Sequence, residues 1–401
     1  MQLRASNDQS MTDTFDATDN LGRYRSAFEL ALGIPFTDGN SVDRLINGVE
    51  IFPAMLKAIR EARHSIDFVT FVYWGGAIAE EFAVALAEKA QQDVQVRVLL
   101  DAYGAKEMPR HCVELMEAAG VQVRWFRPLK TLRVWRSDKR THRKVLVVDQ
   151  QTGFTGGVGI SEEWTGDARD PSEWRETHFR ICGPAVRALY AAFFDNWSEA
   201  GPWEGPVRED RCEQDNDSGS PMQVVRSSST VDWTDMATLI RVAFGVAEQS
   251  LCITTPYFAP DPLTEDLLVD CVDRGVDVSL LLPGKHNDQP LPQLAGGPSI
   301  ERLLQRGVKI WTYDQTHIHA KLMVVDGVVS VIGSANLNHR SLGKDEECSA
   351  VVLDENLAAM LQRDFVADIG NASVLDATEW RNRGILTRLK ERAARLVVEQ
   401  L

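Results

Sequence analysis

What the chain lacks narrows its class first. It has no run of about 18 apolar residues, so no membrane-spanning helix is expected. Cysteine is scarce: six residues, at 112, 182, 212, 252, 271 and 348, with no Cys-x-x-Cys pair and no Cys/His spacing of a zinc site. Neither a metal nor a cofactor is expected, and the scatter suits a reducing compartment. Bases are outnumbered, 43 Lys and Arg against 58 Asp and Glu, for a net charge of -15. Nucleic acid is therefore not an expected partner, because neutralisation of phosphates dominates that affinity. The first residues carry Arg4, Asp8, Asp13, Asp16 and Asp19 without an apolar stretch, which is not the pattern of a secretory signal. These absences point to a cytoplasmic chain that would meet a membrane only at its surface.

With 44% apolar and 25% charged residues, the remainder reads as an ordinary globular protein, long enough for two lobes. One pattern occurs twice. His142-Arg143-Lys144 is followed by Asp149 and Gly156-Gly157. His319-Ala320-Lys321 is followed at the same spacings by Asp326 and Gly333-Ser334, then Asn336. The apolar stretches Val145 to Val148 and Leu322 to Val325 read as short buried strands bounded by turn signals. Side chains two apart on a strand share a face, so each His stands beside its Lys. A Lys ammonium holds phosphate oxygens as a point charge, and an adjacent His can attack phosphorus or protonate a leaving oxygen. One such pair is weak evidence, but two with matched spacing are strong.

Periodicity gives the same doubling. Strands over 65–74, 94–100 and 121–126 alternate with helices over 49–62, 77–90 and 109–119. Strands over 250–257, 276–282 and 308–313 alternate with helices over 233–248, 263–274 and 300–306. Ala62 to Ser65, ahead of one strand, matches Ala247 to Ser250 ahead of another. This alternation predicts an α/β fold with largely parallel sheets covered by helices. Five segments are expected: an N-terminal tail and helix over 1–38, lobes over 39–200 and 223–371, a connector over 201–222, and a C-terminal amphipathic helix over 372–401. The first 19 residues read as a disordered tail. A pseudo-two-fold between the lobes would bring both motif strands to one seam.

The doubled His-x-Lys pattern, with its Asp and Gly-Ser/Gly followers, resembles the phospholipase D superfamily and, within it, the bacterial cardiolipin synthases. Asn47 to Met55, Thr70 to Trp74, Thr255 to Phe258 and Gly333 to Asn336 carry the likeness further, which runs over residues 39–401. The resemblance implies two phospholipase D-like lobes related by a pseudo-two-fold, each a mixed, largely parallel sheet flanked by helices. It also implies a metal-free, two-step transfer through a phosphohistidine, with His142 as nucleophile and His319 as general acid and base. Lys144 and Lys321 would clamp the non-bridging oxygens, and Ser334 and Asn336 would add hydrogen bonds there. On the first side, where Gly159 stands in place of Asn336, backbone N–H groups of Gly156 and Gly157 would substitute. Glu176 and Glu347, each ahead of a strand, would orient the imidazoles. Asp149 and Asp326 complete the candidate catalytic set through the motif, although a turn or capping carboxylate is the simpler chemistry where a strand closes. His178 reads as a satisfied core histidine, and His64, His111, His286, His317 and His339 receive no role.

Two stretches suggest a membrane surface. Arg124 to Lys144 carries nine basic residues interleaved with Trp125, Phe126 and Trp135, a local reversal of sign. Trp380 to Leu401 sets Ile385, Leu386, Leu389, Ala393, Leu396 and Val397 in a helical stripe among Arg381, Arg383, Arg388, Lys390, Arg392 and Arg395. Such a helix can lie in an interface plane or dock on the protein. The expected activity is phosphatidyl transfer between phosphatidylglycerol molecules at the inner face of the cell membrane. The alternatives are a phospholipase D releasing phosphatidic acid, a nuclease-type phosphodiesterase on the same fold, and a catalytically retired lipid-binding module. Nothing in the sequence fixes an oligomeric state.

Overall fold

The computed structural model describes residues 17–128, 139–202, 219–228 and 234–400, the side chains of 17–20 and 397–400 excepted. The first half contributes strands β1 (Thr37–Ile46), β2 (Ser65–Thr70), β3 (Gln95–Asp101), β4 (Gln122–Phe126), β5 (Val145–Val148), β6 (Thr152–Gly156) and β7 (Thr177–Cys182). The second contributes β8 (Ser220–Arg226), β9 (Ser250–Thr254), β10 (Asp277–Pro283), β11 (Lys309–Tyr313), β12 (Leu322–Val325), β13 (Val329–Gly333), β14 (Cys348–Leu353) and β15 (Ala372–Val374). All join one sheet, ordered β15-β11-β10-β9-β12-β13-β14-β8-β1-β7-β6-β5-β2-β3-β4. Apart from β15 at one edge, the order reads the same outward in both directions from the β1–β8 pair, with β5 matching β12 and β7 matching β14. A pseudo-two-fold therefore runs between two antiparallel central strands.

Each half is a mixed sheet flanked by helices, with less parallel pairing than the alternation implies. Parallel pairs are confined to β2–β3–β4 and β9–β10–β11, the strands joined by helical crossovers. The motif strands β5 and β12 instead run antiparallel to both neighbours. Tight hairpins follow them, and a hairpin can only reverse direction. Strands β2, β5 and β14 are buried along their whole length, and β5, covered on both faces, reads as a continuous apolar run rather than an alternating one.

Helices Asn47–Glu61, Ala77–Ala90 and Arg110–Ala118 bury their apolar faces in one core on the first half. Helices Asp235–Val246, Pro262–Asp273 and Pro290–Gln305 do the same on the second. Helices Val186–Ala200 and Glu355–Ile369 lie against a third core drawn from both halves, in which Phe179, Phe193 and Trp197 share a cluster with Val324, Ile332 and Leu361. That shared core welds the halves together.

Several expected boundaries move. The breaks at 38/39 and 222/223 both fall inside strands, β1 and β8. Asp, Asn and Arg interrupt β1, and its register is irregular between Thr37 and Asn40, so no clean alternation betrays it. The helix expected over 300–306 begins ten residues earlier, at Pro290, with Pro298 and two glycines inside it. The N-terminal stretch is helical from Ala17 to Leu32, so 17–19 are not tail, and Tyr24 and Phe28 insert into the core of the second half. The rest of the expected tail, and connector residues 203–218, lie outside the described residues. The C-terminal segment opens with β15 and breaks into two helices, Ala377–Arg381 and Ile385–Gln400. Among the described residues no helix is long and apolar enough to cross a membrane.

Candidate active site

Each motif strand is led to the other half by a short parallel bridge. Thr141 pairs with Glu346 and Arg175 with Ile318. The N–H of His142 donates to the Glu346 carbonyl at 2.8 Å, and the N–H of His319 donates to the Arg175 carbonyl at 2.8 Å. The residue after each of these bridge partners is a glutamate. Glu347 is thus set against His142 and Glu176 against His319. Each histidine takes its carboxylate from the opposite half: His142 Nδ1 lies 3.0 Å from Glu347 Oε1, and His319 Nδ1 lies 2.7 Å from Glu176 Oε2. Because an ionised carboxylate only accepts, the Nδ1–H tautomer is favoured and Nε2 is left with its lone pair.

The two carboxylates are held differently. Glu347 also accepts from Ser341 Oγ at 2.7 Å and from Ser334 Oγ. Burial pushes its pKa up, but His142, Lys144 and Ser334 outweigh burial and hold it below the ordinary glutamate value. Glu176 accepts from the Trp164 indole N–H at 3.3 Å and the Thr177 N–H at 2.9 Å. Burial dominates there and raises it to about 7. A Cβ on Gly157 would lie 2.4 Å from Glu176 Oε2, so that glycine makes room for the carboxylate. A Cβ on Gly159 would come within 2.7 Å of Val72 and 3.0 Å of Trp164, the indole filling the space beside it.

Both histidines are kept neutral. Burial, then Lys144 and Lys321, lower His142 to about 4 against the pull of Glu347. Burial and then Lys321 push His319 well below its usual value, with Lys144 and His142 adding to the effect. Charges of each half are thus felt at the histidine of the other, as one shared site requires. The lysines are buried too, Lys144 falling to about 7 and Lys321 to about 8, chiefly through desolvation. Lys144 donates to the His142 carbonyl at 2.9 Å. Lys321 donates to the His319 carbonyl at 2.6 Å and stands 3.0 and 3.1 Å from the two ring nitrogens. Two buried ammoniums with no direct carboxylate contact among the described residues are a strained arrangement that an anion between them would relieve.

The two aspartates engage backbone N–H groups at the strand ends opposite the histidines. They sit at the far ends of β5 and β12 in left-handed turns, each at φ 52°. Asp149 accepts from the N–H groups of Arg63, His64 and Ser65, and Asp326 from those of Glu248, Gln249 and Ser250, besides the Tyr24 hydroxyl. They tie each motif hairpin to the start of the neighbouring strand. The Ser334 hydroxyl donates to Glu347. Asn336 donates to Ser341 Oγ at 3.3 Å while its buried Oδ1 has no partner among the described residues. Gly156 has φ 155° and faces His178, a core histidine whose buried Nδ1 has no partner among the described residues.

Of the described basic residues of that stretch, Arg140, Arg143 and Lys144 are buried and turned toward the interior. Arg143 is fully buried and donates to the carbonyls of Ala192, Ser227 and Glu347. Arg140 is paired with Asp101 at 2.9 Å, and Arg127 with Glu199 and Glu346. A guanidinium fork is suited to binding carbonyls and carboxylates where segments cross. Lys130, Arg133, Trp135 and Arg136 lie outside the described residues.

A family model described as cardiolipin synthase, PLD-like domain, matches residues 55–196 and 240–369. The chain belongs to that family. Cardiolipin synthase 1 of Staphylococcus aureus strain COL is 32% identical over 365 residues, 90% of this chain and 74% of that one. Cardiolipin synthase 1 of Bacillus cereus is 30% identical over 375 residues, 91% of this chain and 73% of that one. The fold is shared with a phosphatidylserine synthase of Haemophilus influenzae Rd KW20, with a TM-score of 0.71 at 16% identity over 95% of this chain and 100% of that one. Membership of the cardiolipin synthase family makes the protein an enzyme of the phospholipase D superfamily.

For a member of this family, the surroundings of His319 hold groups that motif reading missed. Its ring is 5.2 Å from Trp164, 5.4 Å from Trp174, 6.1 Å from Tyr257 and 5.7 Å from His317. His317 Nε2 lies 3.2 Å from Asp288 Oδ1, and burial lowers its pKa to about 3. The signal was present, because His317 is two residues ahead of His319 and shares its face. His142 has only Phe71 as a close aromatic neighbour among the described residues, at 5.1 Å.

Proposed function

We propose that the protein transfers a phosphatidyl group from one phosphatidylglycerol to a hydroxyl of another, releasing glycerol. The observation that carries this is the crossed pairing of His142 with Glu347 and His319 with Glu176, beside two buried lysines. His142 Nε2 attacks phosphorus. The N–P bond forms, the bond to the headgroup oxygen breaks, and His319 gives that oxygen its proton. His319 then takes a proton from the incoming hydroxyl, whose oxygen displaces His142 and restores its lone pair.

The electrostatics suit this order. An anionic phosphodiester beside Lys144 and Lys321 offsets their charge, which raises His319 toward its protonated form. Glu176, at about 7, is poised to share a proton with His319 near neutrality. Glu347, held below the usual value, is suited to steady the imidazolium-like character of His142 during attack. The two lysines and the Nε2 atoms surround the phosphoryl group without help from Asp149 or Asp326. The substrate is a lipid, so the enzyme would work at the surface of the membrane, on its inner face.

The experiment incubates the purified protein with phosphatidylglycerol vesicles and resolves the lipid products. A diphosphatidyl lipid with released glycerol is expected, and His142→Ala and His319→Ala should each lose about four or more orders of magnitude in turnover. Phosphatidic acid as the sole product would replace transfer with hydrolysis. Near-wild-type activity in either variant would remove the role given to that histidine.

A further inference from the structure

The helix Ile385–Gln400 is mounted with its polar side inward. Its seat is the helix Pro290–Gln305. Glu391 and Ala394 are buried, and Arg388 and Arg395 are half-buried. Arg388 pairs with Glu301 at 3.3 Å and Arg395 with Glu265 at 2.7 Å. Glu391 pairs with Arg383 at 2.8 Å, and Arg383 in turn reaches Glu301. A Cβ on Gly297 would lie 2.5 Å from the Glu391 carboxyl carbon, so this glycine lets the carboxylate settle against the supporting helix. Just ahead of the helix, the Trp380 indole N–H donates to the Gly297 carbonyl at 3.3 Å.

Rotating the helix by half a turn would bury its leucines but break these ion pairs and lift Glu391 from its seat. The outward face is consequently apolar. Ile385 is 77% exposed, Leu386 75%, Leu389 56% and Leu396 64%. Exposed Arg381, Lys390 and Arg392 accompany them. An ordinary surface helix shows the opposite arrangement. An exposed apolar stripe with basic neighbours, on a chain of net charge -15, selects an anionic apolar surface over other acidic proteins. We infer that this helix is the element that seats the protein on an anionic phospholipid bilayer, held to the body by its charged side and immersed by its leucines. The inference deepens the proposed function, because it rests on the substrate residing in a bilayer.

Position supports it. A cavity beside the helix is lined by Arg395, Ala295, Ala259, Pro260 and His339. The Ala259 and His339 segments are bridged to one another, the His339 N–H donating to the Ala259 carbonyl at 3.2 Å. Both lead directly to the site, Ala259 lying two residues beyond Tyr257 and His339 three beyond Asn336. A bilayer held at the helix is thereby held next to the segments that carry Tyr257, beside His319, and Asn336, whose partner Ser341 braces Glu347.

The test uses the full chain and the double variant Leu386→Asp/Leu389→Asp. Three quantities are measured: co-flotation with vesicles of phosphatidylglycerol and phosphatidylcholine, turnover of micelle-free dihexanoyl phosphatidylglycerol, and solution mass. The wild type should float with the anionic vesicles and less with phosphatidylcholine alone. The variant should lose at least tenfold in flotation while keeping soluble-substrate turnover within about twofold. Equal flotation of variant and wild type overturns the inference. So does a wild-type dimer that the variant splits without a change in flotation, since the stripe would then cover a second copy. Wild-type flotation that depends on the two leucines, with no turnover of the soluble substrate, supports the membrane seat and removes the phosphatidyl-transfer reading.

Discussion

Replacing Glu347 by glutamine leaves volume nearly unchanged and removes one negative charge 3.0 Å from His142 Nδ1. A hydrogen bond to a charged group is worth about 1.5–3 kcal/mol, so its weakening alone predicts a loss of about 10- to 150-fold. A second effect adds to this. The amide can turn its NH2 toward Nδ1, which forces the imidazole proton onto Nε2, the nitrogen that must attack. A wrong tautomer of this kind costs about 10⁴-fold in the serine-protease triad. Ser334 and Ser341 both donate to Glu347 and can rotate to accept, so they do not prevent the amide from turning. The expected loss in kcat is therefore about 10²- to 10⁴-fold, at nearly native thermal stability. Stopped-flow release of a chromogenic leaving group from a phosphodiester would show it as a vanished burst. Glu176→Gln should instead keep the burst, because a good leaving group needs no proton from His319, and should slow the second step. Glu347→Gln within threefold of wild type, with a native melting temperature, would refute the orienting role of the carboxylate.

Sulfate affinity should fall as pH rises through 7 to 8, because Lys144 and Lys321 are protonated below about 7 and about 8 and neutral above. Titration calorimetry between pH 6 and 9 reads it, and a flat affinity would contradict buried ammoniums as the anion clamp. Asp149→Ala leaves three backbone N–H groups without their acceptor and should destabilise the protein by about 2–4 kcal/mol in denaturant titrations. Turnover of the folded fraction should stay within about fivefold, and a collapse of kcat would return Asp149 to the chemistry.

The doubled motif was legible because it is local: period-two geometry alone puts His142 with Lys144 and His319 with Lys321. The likeness of Ala62–Ser65 to Ala247–Ser250 was also visible, and it proves to be the backbone that Asp149 and Asp326 bind. What the pattern could not supply was partnership across the seam. Nothing in the spacing of Glu347 says that it serves His142, because the bridge between Thr141 and Glu346 is set by tertiary packing. Part of the basic stretch is turned inward for a related reason. Arg140 and Arg143 look solvated in sequence, yet each spends its guanidinium on neighbouring backbone or carboxylate groups. The central strand Thr37–Ile46 was missed because only one of its residues is buried, so backbone pairing with β7 and β8 rather than apolar alternation specifies it.

The exchange of carboxylates has a consequence for how the two halves can change. A dimer of identical halves would be obliged to repeat any substitution on both sides of its axis. Joined in one polypeptide, the sides are free to specialise, and they have: two hydroxyls brace one glutamate, whereas an indole and a glycine vacancy frame the other. Severing the chain between the halves would leave each fragment with an imidazole deprived of its acid, and only their reunion would restore a working pair.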